Sequence, residues 1–296
     1  MPFLRVAQPA DEWLRDFRPT QEAVNASNAD IFTFWQRFPD VTPHYDYQME
    51  WDNVAVLYVN GFDEWRRRVG KKTRNMVRKA ERSGVCVRTV RPDDEFFRGW
   101  YNIYNEKPIR QGRPFPQYGK TFAEFIAQRE SRSELDEGKN TFIGAYYNGE
   151  LIGFLRLLHT DRYTLVASLL CFDKHRDKAP MNALISKAVQ VCAEKHVRYL
   201  NYERMVPWSL GDFKRHNGFI KCLVPRYYIP RTFKGRFALA MNLHHGWTNL
   251  LPVRGQLALR TLRAWFYERS SFLFRFRARR RRASFLYRPQ PSTVYS

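Results

Sequence analysis

The sequence predicts an α/β (α+β) protein: a mixed central sheet flanked by helices, followed by a basic helical tail. Three observations carry that expectation. From Val85 onward, strand-like and helix-like apolar patterns follow one another in the order β-α-α-β-β-β-α-β-α-β. Asn148-Gly149 lies between two apolar runs, which is a strong hairpin signal. The charge is unevenly spread. Residues 221–296 hold sixteen Lys and Arg against the single acid Glu268, whereas residues 1–220 hold 34 basic against 28 acidic residues, within a formal net charge of +21.

A chain of 296 residues, 44% of them apolar, has room for one large domain or two small ones and for a real core, which excludes a disordered protein. Cys86, Cys171, Cys192 and Cys222 are far apart and show no CxxC spacing. They read as free, buried thiols in a reducing compartment. The seven histidines form no HxxxH or HExxH pattern, so no metal is expected. No signal-peptide core opens the chain. The longest charge-free run, Phe237 to Val253, is too polar to span a bilayer.

The elements follow in order. Asp11 to Phe17 and Asp30 to Phe38 are expected as short helices. Val54 to Val59 is a buried strand, because it is wholly apolar between turn signals. Asp63 caps a helix from about Glu64 to Arg82, with a partial apolar stripe and a dense basic face that includes Arg74 and Arg78. Val85 to Val90 is a strand, and Asp93 or Asp94 caps the next helix. The Gly/Pro-rich loop PIRQGRPFPQYG, which carries Arg110, precedes a helix at Thr121 to Arg129. Thr141–Tyr147, Leu151–Leu158 and Tyr163–Phe172 form a meander, and Met181 to Lys195 is an amphipathic helix.

The stretch YLNYERMVPWSLGDFKRHNGF, Tyr199 to Phe219, reads as a strand, a polar break stopped by Pro207, a short helix capped by Ser209, and a left-handed turn at Gly218. It sets the Phe213-Lys214 pair just before Gly218-Phe219, and a last strand runs to Ile229. Between Pro252 and Arg269, Leu259, Leu262 and Phe266 share a helical face with Trp265 beside them. A second aromatic and arginine-rich segment follows. This mixture suits a helix lying on an anionic membrane surface. It would also suit RNA, but the lack of glycine-rich or RNP-like patterns favours the membrane.

The order of elements over residues 85–230 resembles the GNAT acyltransferase fold, and GAYYNGELIGFLRLL resembles its central hairpin. Within that superfamily, TRNMVRKAERSGVCV is similar to the helix-to-strand stretch of Fem-type aminoacyltransferases. The Phe213-Lys214 and Gly218-Phe219 pairs resemble their FK-x-x-x-G-F element. The resemblance implies three parts: residues 1–84 as a partial first GNAT-like module, 85–230 as the acyltransferase domain, and 231–296 as the tail. It also implies acyl or aminoacyl transfer to an amine of a cell-envelope precursor: peptidoglycan, polysaccharide or a lipid-linked intermediate. Lys214 would stand near the oxyanion or a donor phosphate, and Glu203, at a strand end, could accept the amine proton. Arg74, Arg78 and Arg110 could hold phosphate or carboxylate groups, and Phe213 and Tyr202 complete the substrate-binding set.

The loop His175 to Met181 has no glycine, and Pro180 has no N–H, so an ordinary CoA pyrophosphate cradle is not expected. No cofactor is expected to stay bound. The donor is left open between aminoacyl-tRNA and acyl-CoA. The expected partners are an anionic membrane surface, tRNA and the envelope precursor. The expected location is cytoplasmic, at the inner face of the membrane. The rival readings are a CoA-dependent N-acyltransferase with an atypical loop, and a non-catalytic membrane or RNA adaptor on the same fold.

Overall fold

The computed structural model describes residues 4–245 apart from Asp11, Ala26, Gln111 and Ser133, and scattered helical positions between 255 and 267. The strands are β1 (Val6–Ala7), β2 (Ile31–Trp35), β3 (Gln48–Tyr58), β4 (Cys86–Val90), β5 (Ile109–Arg110), β6 (Arg113–Pro114), β7 (Asn140–Tyr147), β8 (Glu150–His159), β9 (Thr164–Cys171), β10 (Tyr199–Asn201) and β11 (Ile220–Pro230). The helices are α1 (Gln21–Asn25), α2 (Phe62–Arg68), α3 (Lys71–Arg82), α4 (Asp94–Tyr104), α5 (Phe122–Ser131), α6 (Pro180–Glu194), α7 (Ser209–His216) and α8 (Phe233–Ala240). Nine strands form one mixed sheet in the order β1-β2-β11-β3-β10-β9-β8-β7-β4, while β5 and β6 form a separate small hairpin.

The apolar runs seen in the sequence become the middle of this sheet. β7, β8 and β9 are buried along most of their length because helices cover both faces. On one face, Phe96 and Trp100 of α4 pack edge-on or tilted against Phe142 and Phe154. On the other, α6 lies so close that a Cβ on Gly153 would sit 3.3 Å from Leu184. Thr121 closes α5 with a reciprocal capping box to Glu124, which satisfies two of the orphan N–H groups at the helix start.

Several local expectations change. Residues 31–35, IFTFW, are a strand and not a helix. Aromatic and β-branched side chains suit a pleated ribbon, and here all five residues are buried, with β11 paired alongside. Residues 12–15 form turns. The basic helix is two helices. Val69 is extended, and α3 begins after Gly70, so the Arg-rich face bends at the one glycine in the run. Ser209 is the first residue of α7 and caps nothing, since Trp208 holds the cap position. α8 was not legible as a helix: Thr232 caps it by accepting from Gly235 N–H, and Gly235 lies so near β2 that a Cβ would meet the Asp30 carbonyl at 2.1 Å. Cys86 is exposed, whereas Cys171 and Cys192 are buried, and burial pushes their thiols up to about 11 and about 12. At the described positions between 255 and 267 the chain is helical, as the pattern suggests. Residues 268–296 lie outside the described residues.

Trp100 is fully buried between α5 and the β7–β8 pair. Trp100→Ala is expected to lower unfolding free energy by about 3–5 kcal/mol. Urea denaturation checks this, and a shift under about 1 kcal/mol would place the centre of the core elsewhere.

Candidate functional site

The site begins where two parallel neighbours part. β9 and β10 pair only at Leu200↔Thr164 and Asn201↔Leu165. Beyond that point β9 continues to Cys171, while the chain after Asn201 stays with β3: Tyr202 N–H donates to the Ala55 carbonyl at 2.8 Å, and Ala55 N–H donates to the Glu203 carbonyl at 2.6 Å. Glu203 then takes φ +49, a left-handed conformation that ends the strand, and Met205 N–H is caught by the Asn53 side chain at 2.8 Å. The strands therefore splay, and the carboxyl end of β10 lies at the opening. Crevices outside the carboxyl ends of parallel strands are the usual ligand sites of α/β sheets.

α7 is seated against this opening. Gly211 approaches the Val206 carbonyl so closely that a Cβ there would stand 1.9 Å from the oxygen. The helix ends in a Schellman motif: Phe219 N–H donates to the Lys214 carbonyl, Gly218 N–H donates to the Arg215 carbonyl, and Gly218 sits at φ +91. Two further carbonyls at that end are held from α2 and α3. Trp65 Nε1 donates to the Asn217 carbonyl at 3.0 Å, and Thr73 Oγ1 to the His216 carbonyl at 2.5 Å. This explains why a threonine of the basic helix is buried.

Lys214 points from α7 under the strand end and is 2% exposed. Its Nζ donates to the Tyr202 carbonyl at 2.6 Å and to the Arg204 carbonyl at 2.8 Å, and it lies 4.2 Å from the centre of the Tyr202 ring. Burial lowers its pKa to about 8, and the nearby Glu203 carboxylate opposes that shift. Glu203 reaches solvent at its surface but is crowded by protein atoms. This desolvation raises its carboxyl above the ordinary range, and Lys214 opposes the rise. The pair therefore combines a carboxyl shifted towards neutral pH with an ammonium that loses its proton near pH 8.

Around them, Asn201 is fully buried, and neither amide atom has a hydrogen-bond partner. On the same flank a chain of charges runs through the sheet. Arg204 binds Asp52 at 2.5 Å, Asp52 lies 3.5 Å from Arg226, and Arg226 lies 3.5 Å from Glu12. Both Arg204 and Arg226 lie over Trp35.

Of the residues picked from the sequence, Lys214, Glu203 and Tyr202 come together. Phe213 packs against the main core. Arg74 and Arg78 line a groove of 310 Å³ between α3 and α6, with an apolar floor that includes Trp65, Val69 and Ala183. Arg74 also satisfies the end of α2, donating to the Val69 carbonyl at 2.5 Å. Arg110 stands apart. It donates to the Ile103 carbonyl at 2.6 Å, pairs with Glu106 at 3.4 Å and covers Phe115. Asn201, Asp52 and Arg226 were missed. Asp52 had one signal, since an acid directly ahead of the apolar run of β3 is out of place unless it is paired.

The loop before α6 is also defined. Asp173–Lys178 form a 3-10 turn, and the Asp173 N–H is held by both oxygens of Glu106 at 2.8 and 2.9 Å. Ala179, at φ +56, sends its N–H to the Arg176 carbonyl, and Pro180 opens the helix.

No family model matches the chain, and no curated protein sequence is significantly similar to it. Solved structures do resemble it. The C-terminal domain of a putative lysylphosphatidylglycerol synthetase from Agrobacterium fabrum matches with a TM-score of 0.50 at 16% identity, covering 75% of each chain. FemX matches with a TM-score of 0.50 at 10% identity, covering 69% of this chain and 74% of that one. The L-PGS structure from Bacillus licheniformis gives 0.48 at 16% identity, covering 72% of each chain. The chain therefore shares the fold of FemX and of the Agrobacterium fabrum domain, a mixed sheet flanked by helices, as the order of elements predicted.

Gly211→Ala is expected to push α7 off the 206–208 turn and to lower stability by about 1–3 kcal/mol. Urea denaturation combined with near-UV circular dichroism reads both effects, because Trp208 sits at the start of α7. An unchanged midpoint would mean that the close approach to Val206 does not seat the helix.

Proposed function

We propose that this chain transfers an acyl or aminoacyl group to an amine of a cell-envelope precursor. The observation that carries the reading is the Glu203–Lys214 pair at the splayed end of β10. The acceptor nitrogen attacks the carbonyl carbon of the donor ester. A C–N bond forms, the C–O bond to the donor breaks, and Glu203 takes the proton lost by the attacking nitrogen and returns it to the departing donor oxygen, which leaves as the free hydroxyl. Glu203 suits that task because desolvation shifts its pKa towards neutral pH. Lys214 holds the backbone of Tyr202, Glu203 and Arg204 in place and supplies fixed positive charge beside the charge that develops in the transition state.

The donor loop supports an aminoacyl ester over acyl-CoA. A CoA pyrophosphate needs free backbone N–H groups ahead of α6. Here Glu106 occupies the Asp173 N–H, Arg176 occupies that of Ala179, and Pro180 has none. Arg74 and Arg78, over an apolar floor, fit an anionic acceptor such as a lipid-linked precursor. The basic tail would hold the protein at an anionic membrane surface. No helix among the described residues is long and apolar enough to cross a membrane.

Glu203→Gln is expected to cut kcat/KM by about 10²-fold or more with the fold intact. In the unsubstituted protein, activity should rise as Glu203 loses its proton and fall as Lys214 loses its own near pH 8. A pH–rate profile with no alkaline limb would remove the Lys214 charge from the mechanism.

Donor choice is tested by measuring binding of charged tRNA, uncharged tRNA and acetyl-CoA to the full chain at one fixed salt concentration. Preference for charged tRNA is the expected result. Saturable acetyl-CoA binding would overturn the reading of the α6 loop. Binding of none of the three would leave the adaptor reading in front.

A further inference from the structure

Residues far apart in sequence form a compact set of metal-ligating groups where β3 meets the turn after α8. Glu50 lies on β3, and His244 and His245 form most of a short 3-10 turn, Leu243–His245. His244 Nε2 lies 2.9 Å from Glu50 Oε1, and His245 Nε2 lies 2.7 Å from Glu50 Oε2. One ligand atom from each residue falls within 4.8 Å of the others, and the two imidazole rings are 3.9 Å apart. Sequence spacing could not show this, because the two histidines are adjacent and their acid is 194 residues away.

We infer that Glu50, His244 and His245 form a Zn²⁺ site with one position left open to solvent. Two imidazole nitrogens and one carboxylate are a donor set that zinc takes, at bond lengths of about 2.0–2.2 Å. Tetrahedral bonds of that length put ligand atoms about 3.3 Å apart. The nitrogens now stand 2.9 Å from Oε1 and 2.7 Å from Oε2, so each opens by about half an ångström and the carboxylate turns so that both rings share one ion. The carboxylate neutralises one of the two metal charges. The surroundings support ligation through Nε2. The His244 side chain is 1% exposed, and its Nδ1 is buried without a hydrogen-bond partner, so Nε2 is the nitrogen that faces the carboxylate. Tyr228 packs against both rings, 4.6 and 6.1 Å between centres, and fixes their orientation. Arg226, paired with Glu50 across β3 and β11, is committed to Glu12 and Asp52 and does not compete for the carboxylate. The His245 side chain is 40% exposed, which gives the ion a way in and leaves the fourth position to water. The metal clamps the segment that leads into the tail onto β3, outside the Glu203–Lys214 site.

The test uses the full chain without an affinity tag, stripped with EDTA and then titrated with Zn²⁺ by calorimetry. Melting curves and Co²⁺ absorption spectra accompany the titration. The expected result is one saturable equivalent, a higher melting temperature with zinc, and an intense tetrahedral Co²⁺ band. Glu50→Gln and His245→Ala should each weaken zinc binding by at least about tenfold. His245 is exposed enough that its substitution leaves the fold in place even if His244→Ala does not. Binding that is absent, or equal in all variants, would overturn the site. So would a Glu50→Gln protein that melts earlier but binds zinc as before, because the cluster would then be only a hydrogen-bonded strap.

Discussion

The ammonium of Lys214 is the point on which the site depends. It is buried, yet it bonds to two carbonyls of the segment that leaves the sheet and lies against the Tyr202 ring. Burying a charge is costly unless it is paired and hydrogen-bonded. Here the partners are backbone oxygens that the splay has released from the sheet ladder. The strand end needs donors and the ammonium needs acceptors. Hydrogen bonds of this charged kind contribute about 1.5–3 kcal/mol each. They hold Glu203 in a left-handed conformation that a glutamate would not otherwise keep.

The position of Lys214 rests in turn on α7, which is fixed from several sides. Gly211 lets the helix approach the Val206 carbonyl, and the Schellman end presents Gly218 to Trp65 and Leu57. Trp65 and Thr73 reach across from α2 and α3 to bind its last carbonyls. The basic helices thus have two roles. Their inner side locks α7, and their outer side supplies the arginines of the neighbouring groove.

Beside the site, an ionic chain buried except at its end runs from Glu12 through Arg226 and Asp52 to the half-exposed Arg204. It ties the N-terminal segment to the residue whose carbonyl receives Lys214. Burial raises the Glu12 carboxyl against the pull of Arg226, and Arg226 is lowered by the same burial. The chain is thus held by complementary charge in a place that is poor for any single charge.

The sequence by itself determined the period of each central strand, the hairpin at Asn148-Gly149, and the order of elements from which the fold follows. The resemblance of the Phe213-Lys214 and Gly218-Phe219 pairs to a known element singled out Lys214, with Glu203 and Tyr202 at the strand end beside it. Tertiary structure decided the rest. IFTFW is a strand because β11 offers it an edge, and α8 exists because Gly235 fits against Asp30. Arg110 was drawn away to Glu106 and the end of α4. Asn201, the Asp52–Arg226 pair and the Glu50–His244–His245 cluster could not be read beforehand. Their partners lie on strands and turns distant in sequence, and only the pairing of β3 with β10 and β11 sets which side chains share a face. Local periodicity records what each segment buries, but the partner of a buried charge is fixed by register across the sheet.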